Sequence, residues 1–95
     1  MSLYRRAPRR DRNEREVIDA LAAMGAAVLP LSGAGVPDLL VAYRTRLYLL
    51  EVKVSRGTLT EAQEATVASL GHVGVQVHVV RTAEDALKAI GAIHP

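Results

Sequence analysis

The sequence predicts one small α/β domain in which a mixed four-stranded sheet is flanked by helices, with elements in the order αβββαβα. Three observations predict it. The chain has 95 residues and is 49% apolar, which suits a single compact unit near the lower limit of self-sufficient folding. Its apolar residues switch between a helical stripe and short β-rich runs. Glycines, prolines and helix-capping residues fall at the boundaries between those runs. A chain this short buries only about 60 to 65% of its unfolded surface, so a homodimer is expected to help it.

Residues 1–12 read as a basic N-terminal arm and residues 13–95 as the folded domain. From Asn13 to Met24 the apolar positions Val17, Ile18, Leu21 and Met24 have helical spacing with one buried stripe, and Gly25 ends the helix. Ala26 to Leu31 is a short apolar run closed by Pro30 and the Ser32-Gly33-Ala34-Gly35 loop, the pattern of a strand. Asp38 to Tyr43 and Leu47 to Val54 are two further strands joined by Arg44-Thr45-Arg46, and neither alternates cleanly, which places both centrally in the sheet. Thr60-Glu61-Ala62-Gln63 is a capping box that opens a helix with Ala62, Ala65, Val67, Ala68 and Leu70 available for packing. Val75 to Val80 is a fourth strand, with His78 facing outward, and Thr82 caps a last helix through Ala86, Leu87 and Ile90.

Composition removes several classes of function. There is no Cys, so disulfides and thiolate metal sites are excluded and any cation falls to carboxylates or imidazoles. No apolar run approaches the roughly 18 residues that span a bilayer, and the arginine-rich start lacks the apolar centre of a signal peptide, so no membrane role and a cytoplasmic location are expected. The net charge is +2, yet five of the twelve basic residues, Arg5, Arg6, Arg9, Arg10 and Arg12, crowd the first twelve positions. Such an arm can follow phosphates or be a solvated terminus. The three aromatic residues are all Tyr, a poor platform for stacking single-stranded bases, so contact with a duplex backbone is the expected mode.

Asp38, Glu51 and Lys53 carry the chemistry. A hairpin that turns at Arg44-Thr45 sets Asp38 directly opposite Glu51, on one face of the sheet with Cβ atoms about 4.5 to 5.5 Å apart. Two carboxylates so placed can ligate one cation, and Lys53, two residues beyond Glu51, points the same way. A register slip of one residue would break the arrangement. Their neighbours are Leu39, Leu40, Val41, Leu49, Leu50 and Val52, among which an ionised group is costly unless it is paired or metal-bound. A salt bridge from Lys53 to one carboxylate would account for that one and leave the other unpaired. Only two of the twelve basic residues are lysines, which suggests that position 53 requires a compact ammonium. Glu14 continues the buried stripe of the first helix and could reach the cluster from the side, or it could serve the helix dipole. Gln63 is the capping partner of Thr60 and a second candidate for the site. His72, His78 and His94 show no ligand spacing and are assigned no chemistry.

Pro37-Asp38, twelve intervening residues and Glu51-Val52-Lys53 together resemble the signature of the PD-(D/E)XK nucleases. Within that superfamily, Gly35-Val36-Pro37-Asp38-Leu39-Leu40 and Leu59-Thr60-Glu61-Ala62-Gln63 look like the VRR-NUC group. Glu14-Arg15-Glu16-Val17-Ile18, Gly25 and the Ser32-Gly33 loop also look like archaeal-type Holliday junction resolvases, although Leu29-Pro30-Leu31 stands where those proteins carry basic residues. The resemblance implies a restriction-endonuclease-like core and a Mg²⁺-dependent DNA endonuclease, with Mn²⁺ as a substitute, acting on branched duplex as a homodimer. It implies that Asp38, Glu51 and the Val52 backbone carbonyl hold the cation and that Glu14 contributes through water. Lys53 would orient or deprotonate the attacking water, Gln63 would position Lys53 or a bound water, and Ser32 would join the arm arginines in contacting DNA. The expectation from another class is a DNA-binding module that keeps the fold and cleaves nothing.

Overall fold

The structure is a computed structural model that describes residues 12–94. It contains helix α1 (Arg12–Ala23), strands β1 (Ala27–Pro30), β2 (Leu39–Tyr43) and β3 (Arg46–Val52), helix α2 (Glu61–His72), strand β4 (Val77–Val80) and helix α3 (Ala83–Ala89). The order is the one the sequence predicts. The strands lie in the spatial order β1-β2-β3-β4. The pairs β1/β2 and β2/β3 are antiparallel and β3/β4 is parallel, with α2 as the crossover between the last two. The sheet is therefore mixed, and its two central strands are the pair whose sequences do not alternate.

Arg12 is the first residue of α1 and is exposed, so the helix begins one residue before the expected boundary of the arm. Arg5, Arg6, Arg9 and Arg10 lie outside the described residues. The β2/β3 hairpin turns at Arg44 and Thr45, which have φ of 50° and 68°. Two successive left-handed residues form the tight turn whose twist matches a hairpin. The resulting register sets Leu39 against Leu50 and Tyr43 against Arg46.

One face of the sheet forms the core. Leu39, Val41 and Tyr43 of β2, Leu50 of β3 and Val80 of β4 pack against Val17 and Leu21 of α1 and against Ala86 and Ile90 at α3. The opposite face is covered by α2 alone, and α2 buries no residue completely. The packing expected of Ala62, Ala65 and Ala68 does not occur, because these residues are exposed. Val67 and Leu70 do face inward as expected, half-buried, and Gln63 and Thr66 join them at the i, i+3, i+4, i+7 positions of one helical stripe. His78 is also half-buried rather than outward-facing, with its ring centroid 6.1 Å from that of Tyr48, and burial lowers its pKa.

Candidate active site

The hairpin register brings the predicted trio together. The β2/β3 ladder ends at the Leu39/Leu50 pair, and beyond it the Val52 N–H donates to Asp38 Oδ2 at 2.8 Å. Asp38 stands one residue before the Leu39/Leu50 pair and Glu51 one residue after it, so the two carboxyl groups meet across the hairpin. Lys53 follows the last residue of β3, and its N–H donates to the Val80 carbonyl at 2.9 Å.

Glu51 is the centre of the site. It is 3% exposed, and its Oε2 accepts a 2.8 Å hydrogen bond from Gln63 Nε2. Lys53 Nζ lies 3.8 Å from the same oxygen. The Glu51 pKa is pushed up to about 8, first by burial, then by a hydrogen bond with the Asp38 carboxyl and by the negative charges of Asp38 and Glu14; Lys53 opposes the shift. Near neutral pH Glu51 therefore holds a proton. Two carboxyl groups brought this close form a place where a cation can take over from that proton and balance both charges.

Gln63 completes the expected capping box and also reaches the site, where it bonds Glu51 rather than Lys53. Its Oε1 accepts the Thr60 N–H at 2.8 Å and its own N–H donates to Thr60 Oγ1 at 3.1 Å, completing the capping box. The box consumes the carbonyl end of the amide and leaves the NH₂ end aimed at Glu51. Glu14 is 6% exposed on the first turn of α1, and its charge reaches Glu51. A cleft of about 360 Å³ opens between these groups, with Glu14, Asp38, Glu51, Lys53 and Gln63 on one side and Ser32, Gly33 and Val36 on the loop side. Of the other predicted DNA contacts, Ser32 is exposed at the cleft and Arg12 is exposed at the start of α1.

Three supporting residues escape the sequence reading. Asn13 Nδ2 donates to the Lys53 carbonyl at 2.9 Å, tying α1 to the end of β3. Gly35 has φ of +76°, and a Cβ there would stand 2.7 Å from the Ala62 carbonyl oxygen, so its lack of a side chain lets the loop approach α2. Arg81 Nη1 donates to the carbonyls of Val54 at 2.9 Å and Gly57 at 2.8 Å. The glycine-rich loop gave a signal for Gly35. Asn13 and Arg81 make three bonds, to partners 40, 27 and 24 positions away, and no local pattern announces such pairs.

Among the described residues, no three acidic or imidazole side chains converge into a ready cation cage. Two carboxylates and nearby backbone carbonyls are the available donors, an all-oxygen set suited to a hard divalent cation.

A mixed four-stranded sheet with three helices and a carboxylate pair beside a lysine at the end of its central hairpin defines an α/β fold of the nuclease type. A solved structure described as a VRR_NUC domain matches this chain with a TM-score of 0.72 at 27% sequence identity, over 83% of this chain and 90% of that one. The chain therefore has the VRR-NUC fold, which lies within the PD-(D/E)XK nuclease superfamily. No family model matches the sequence, and a search of curated proteins finds no significant match.

Proposed function

We propose that this protein is a metal-dependent endonuclease that hydrolyses phosphodiester bonds in DNA. The observation that carries the reading is the pairing of half-buried Asp38 with buried Glu51, whose pKa is raised, beside Lys53 in an open cleft. Perturbed carboxyls in a cleft are where catalytic groups are found. The similarity to a VRR_NUC domain supports the same chemistry.

Asp38, Glu51 and the Val52 carbonyl would hold Mg²⁺ or Mn²⁺. When bound, such a cation lowers the pKa of water and neutralises charge on a scissile phosphate. The remaining work falls to the protein. Gln63 fixes the Glu51 carboxyl group by donating to its Oε2. The Lys53 ammonium supplies a second positive charge beside the developing oxyanion and orients the attacking water. Glu14 closes the cleft on the side of α1 and accepts a hydrogen bond from that water. Exposed Arg12 and Ser32, with Arg5, Arg6, Arg9 and Arg10 of the arm, would contact flanking phosphates.

The substrate form we propose is branched duplex, with a two-fold homodimer presenting two sites to one junction. One cleavage series tests both levels. Four-way junctions, 5′ flaps, 3′ flaps and linear duplex are incubated with Mg²⁺, with Mn²⁺ or with chelator. Products that require the cation and disappear in Lys53→Ala support the nuclease. Salt-sensitive binding without product supports a non-catalytic module instead. Equal cutting of all four substrates sinks branched-DNA selectivity while leaving the nuclease intact.

A further inference from the structure

Lys53 is the site residue with the longest flexible stem, and groups outside its own strand hold it on three sides. Its N–H is bonded to Val80 and its carbonyl to Asn13. Its stem runs beside Gly57, where a Cβ would stand 3.5 Å from Lys53 Cδ and 3.3 Å from the Val54 carbonyl oxygen. Gly57 ends a tight turn closed by its own N–H to the Val54 carbonyl at 2.9 Å. Val54, Ser55 and Arg56 of that turn are exposed, so little packing holds the turn in place.

Arg81 holds it instead. From the first position after β4, its Nη1 bonds both ends of the turn, the Val54 and Gly57 carbonyls. Its own N–H donates to Asp85 Oδ2 at 2.9 Å, which anchors it to the first turn of α3. Arg81 does not line the cleft.

We propose that Arg81 is a positioning residue for Lys53: it clamps the Val54–Gly57 turn into a wall along the lysine stem and so directs the ammonium towards Glu51. The inference rests on the nuclease reading for its consequence, but the link between Arg81 and Lys53 does not. An unbranched lysine stem has much rotamer freedom to lose, and a wall that removes it fixes where the charge sits before substrate arrives. Small displacements of a catalytic group cost rate more than binding.

Both contacts come from one nitrogen, so a lysine ammonium at position 81 can replace them, whereas a methionine of similar length cannot. The test compares Arg81→Met and Arg81→Lys. In Arg81→Met, kcat on DNA with Mg²⁺ is expected to fall about 10- to 100-fold with KM changed by no more than about twofold. Arg81→Lys should return kcat to within about threefold of the parent.

The chain has only two lysines, Lys53 and Lys88, so their ε-methylene NMR signals can be followed individually in cation-free protein. The Lys53 signal should lose its chemical-shift dispersion in Arg81→Met and recover it in Arg81→Lys. Unchanged kcat and an unchanged Lys53 signal in Arg81→Met would overturn the proposal. So would an equal loss in both variants that follows a fall in melting temperature, which is the mark of a merely structural contact. Should the parent protein cleave no DNA with any cation, the nuclease reading fails, and the Lys53 signal alone decides whether Arg81 positions that side chain.

Discussion

The two faces of the sheet are built for different purposes. On the α1/α3 face, Leu39, Val41, Leu50, Val17, Leu21 and Ala86 are all 0% exposed. On the α2 face, Leu29 is 58% and Leu47 69% exposed, and the best-buried groups of β3 include Glu51, a carboxyl. Along β2 and β3, consecutive residues alternate between the two faces, so Leu50 and Glu51 are neighbours in sequence with opposite surroundings. The contrast teaches that the fold is stabilised on one side and leaves the other, with its cleft, largely unsealed. Acidic groups in close contact on the open face are tolerated because the dry face supplies the stability.

Breaking the contrast gives the largest effects. Leu50→Ala should destabilise the protein by about 2 to 5 kcal/mol, since it removes a fully buried side chain from a packed core. Asp38→Asn should reduce cleavage at least about a hundredfold while leaving the melting temperature unchanged or higher, because without the Asp38 charge Glu51 has less need to take up a proton on folding. Thermal melts and cleavage assays on the same two preparations check both. A large loss of stability in Asp38→Asn would mean that the pair holds the fold together, and the division between the two faces would collapse.

The open face should also respond to pH in a way the dry face does not. The folded protein holds a proton on Glu51 up to about pH 8, whereas the ordinary value is 4.5. Between those values the folded state binds more protons than the unfolded state, so this group favours folding at low pH and that contribution fades as pH rises through about 8. Without divalent cation, the melting temperature should decline from about pH 5 to pH 9. A cation held by Glu51 would have to expel its proton, so Mg²⁺ or Mn²⁺ affinity should rise up to about tenfold per pH unit below 8. Calorimetry in buffers of different ionisation enthalpy measures the proton released. In Asp38→Asn the decline in stability should shrink, because the Asp38 hydrogen bond and charge no longer hold the proton on Glu51.

The order of elements was legible because each signal is local: a helical stripe around Val17 and Leu21, a capping box at Thr60, a two-residue hairpin turn. The Asp38–Glu51–Lys53 cluster was legible because one turn fixes the register of two adjacent strands. Gln63 could be read in two ways, and the structure makes both true at once, since a side-chain amide has two ends. On α2, Val67 and Leu70 mark the inward face but Ala62, Ala65 and Ala68 do not, because alanines suit exposed and buried helical positions alike. Asn13 and Arg81 were invisible because their partners are backbone carbonyls, which every residue has. What the sequence left out is therefore the scaffolding of the lysine rather than the reactive groups.

The smallest expected effect bears on the turn that makes the site possible. Arg44 and Thr45 both adopt positive φ, a conformation that costs a β-branched residue on the order of 1 to 2 kcal/mol and glycine almost nothing. The Arg44 guanidinium lies 5.1 Å from the Tyr43 ring centroid and offsets part of the strain at its own position; Thr45 has no such contact to the ring. Thr45→Gly should therefore stabilise the protein by about 1 kcal/mol, less than the full strain because glycine also gains freedom in the unfolded chain. Cleavage should be unchanged, since the register that pairs Leu39 with Leu50 is kept. Deleting Thr45 altogether is the sharper comparison. A shortened turn shifts β2 against β3, and the slip would move Asp38 away from Glu51 while the apolar runs remain able to pair. A folded deletion variant that still cleaves would show that the carboxylates need not face each other across this hairpin.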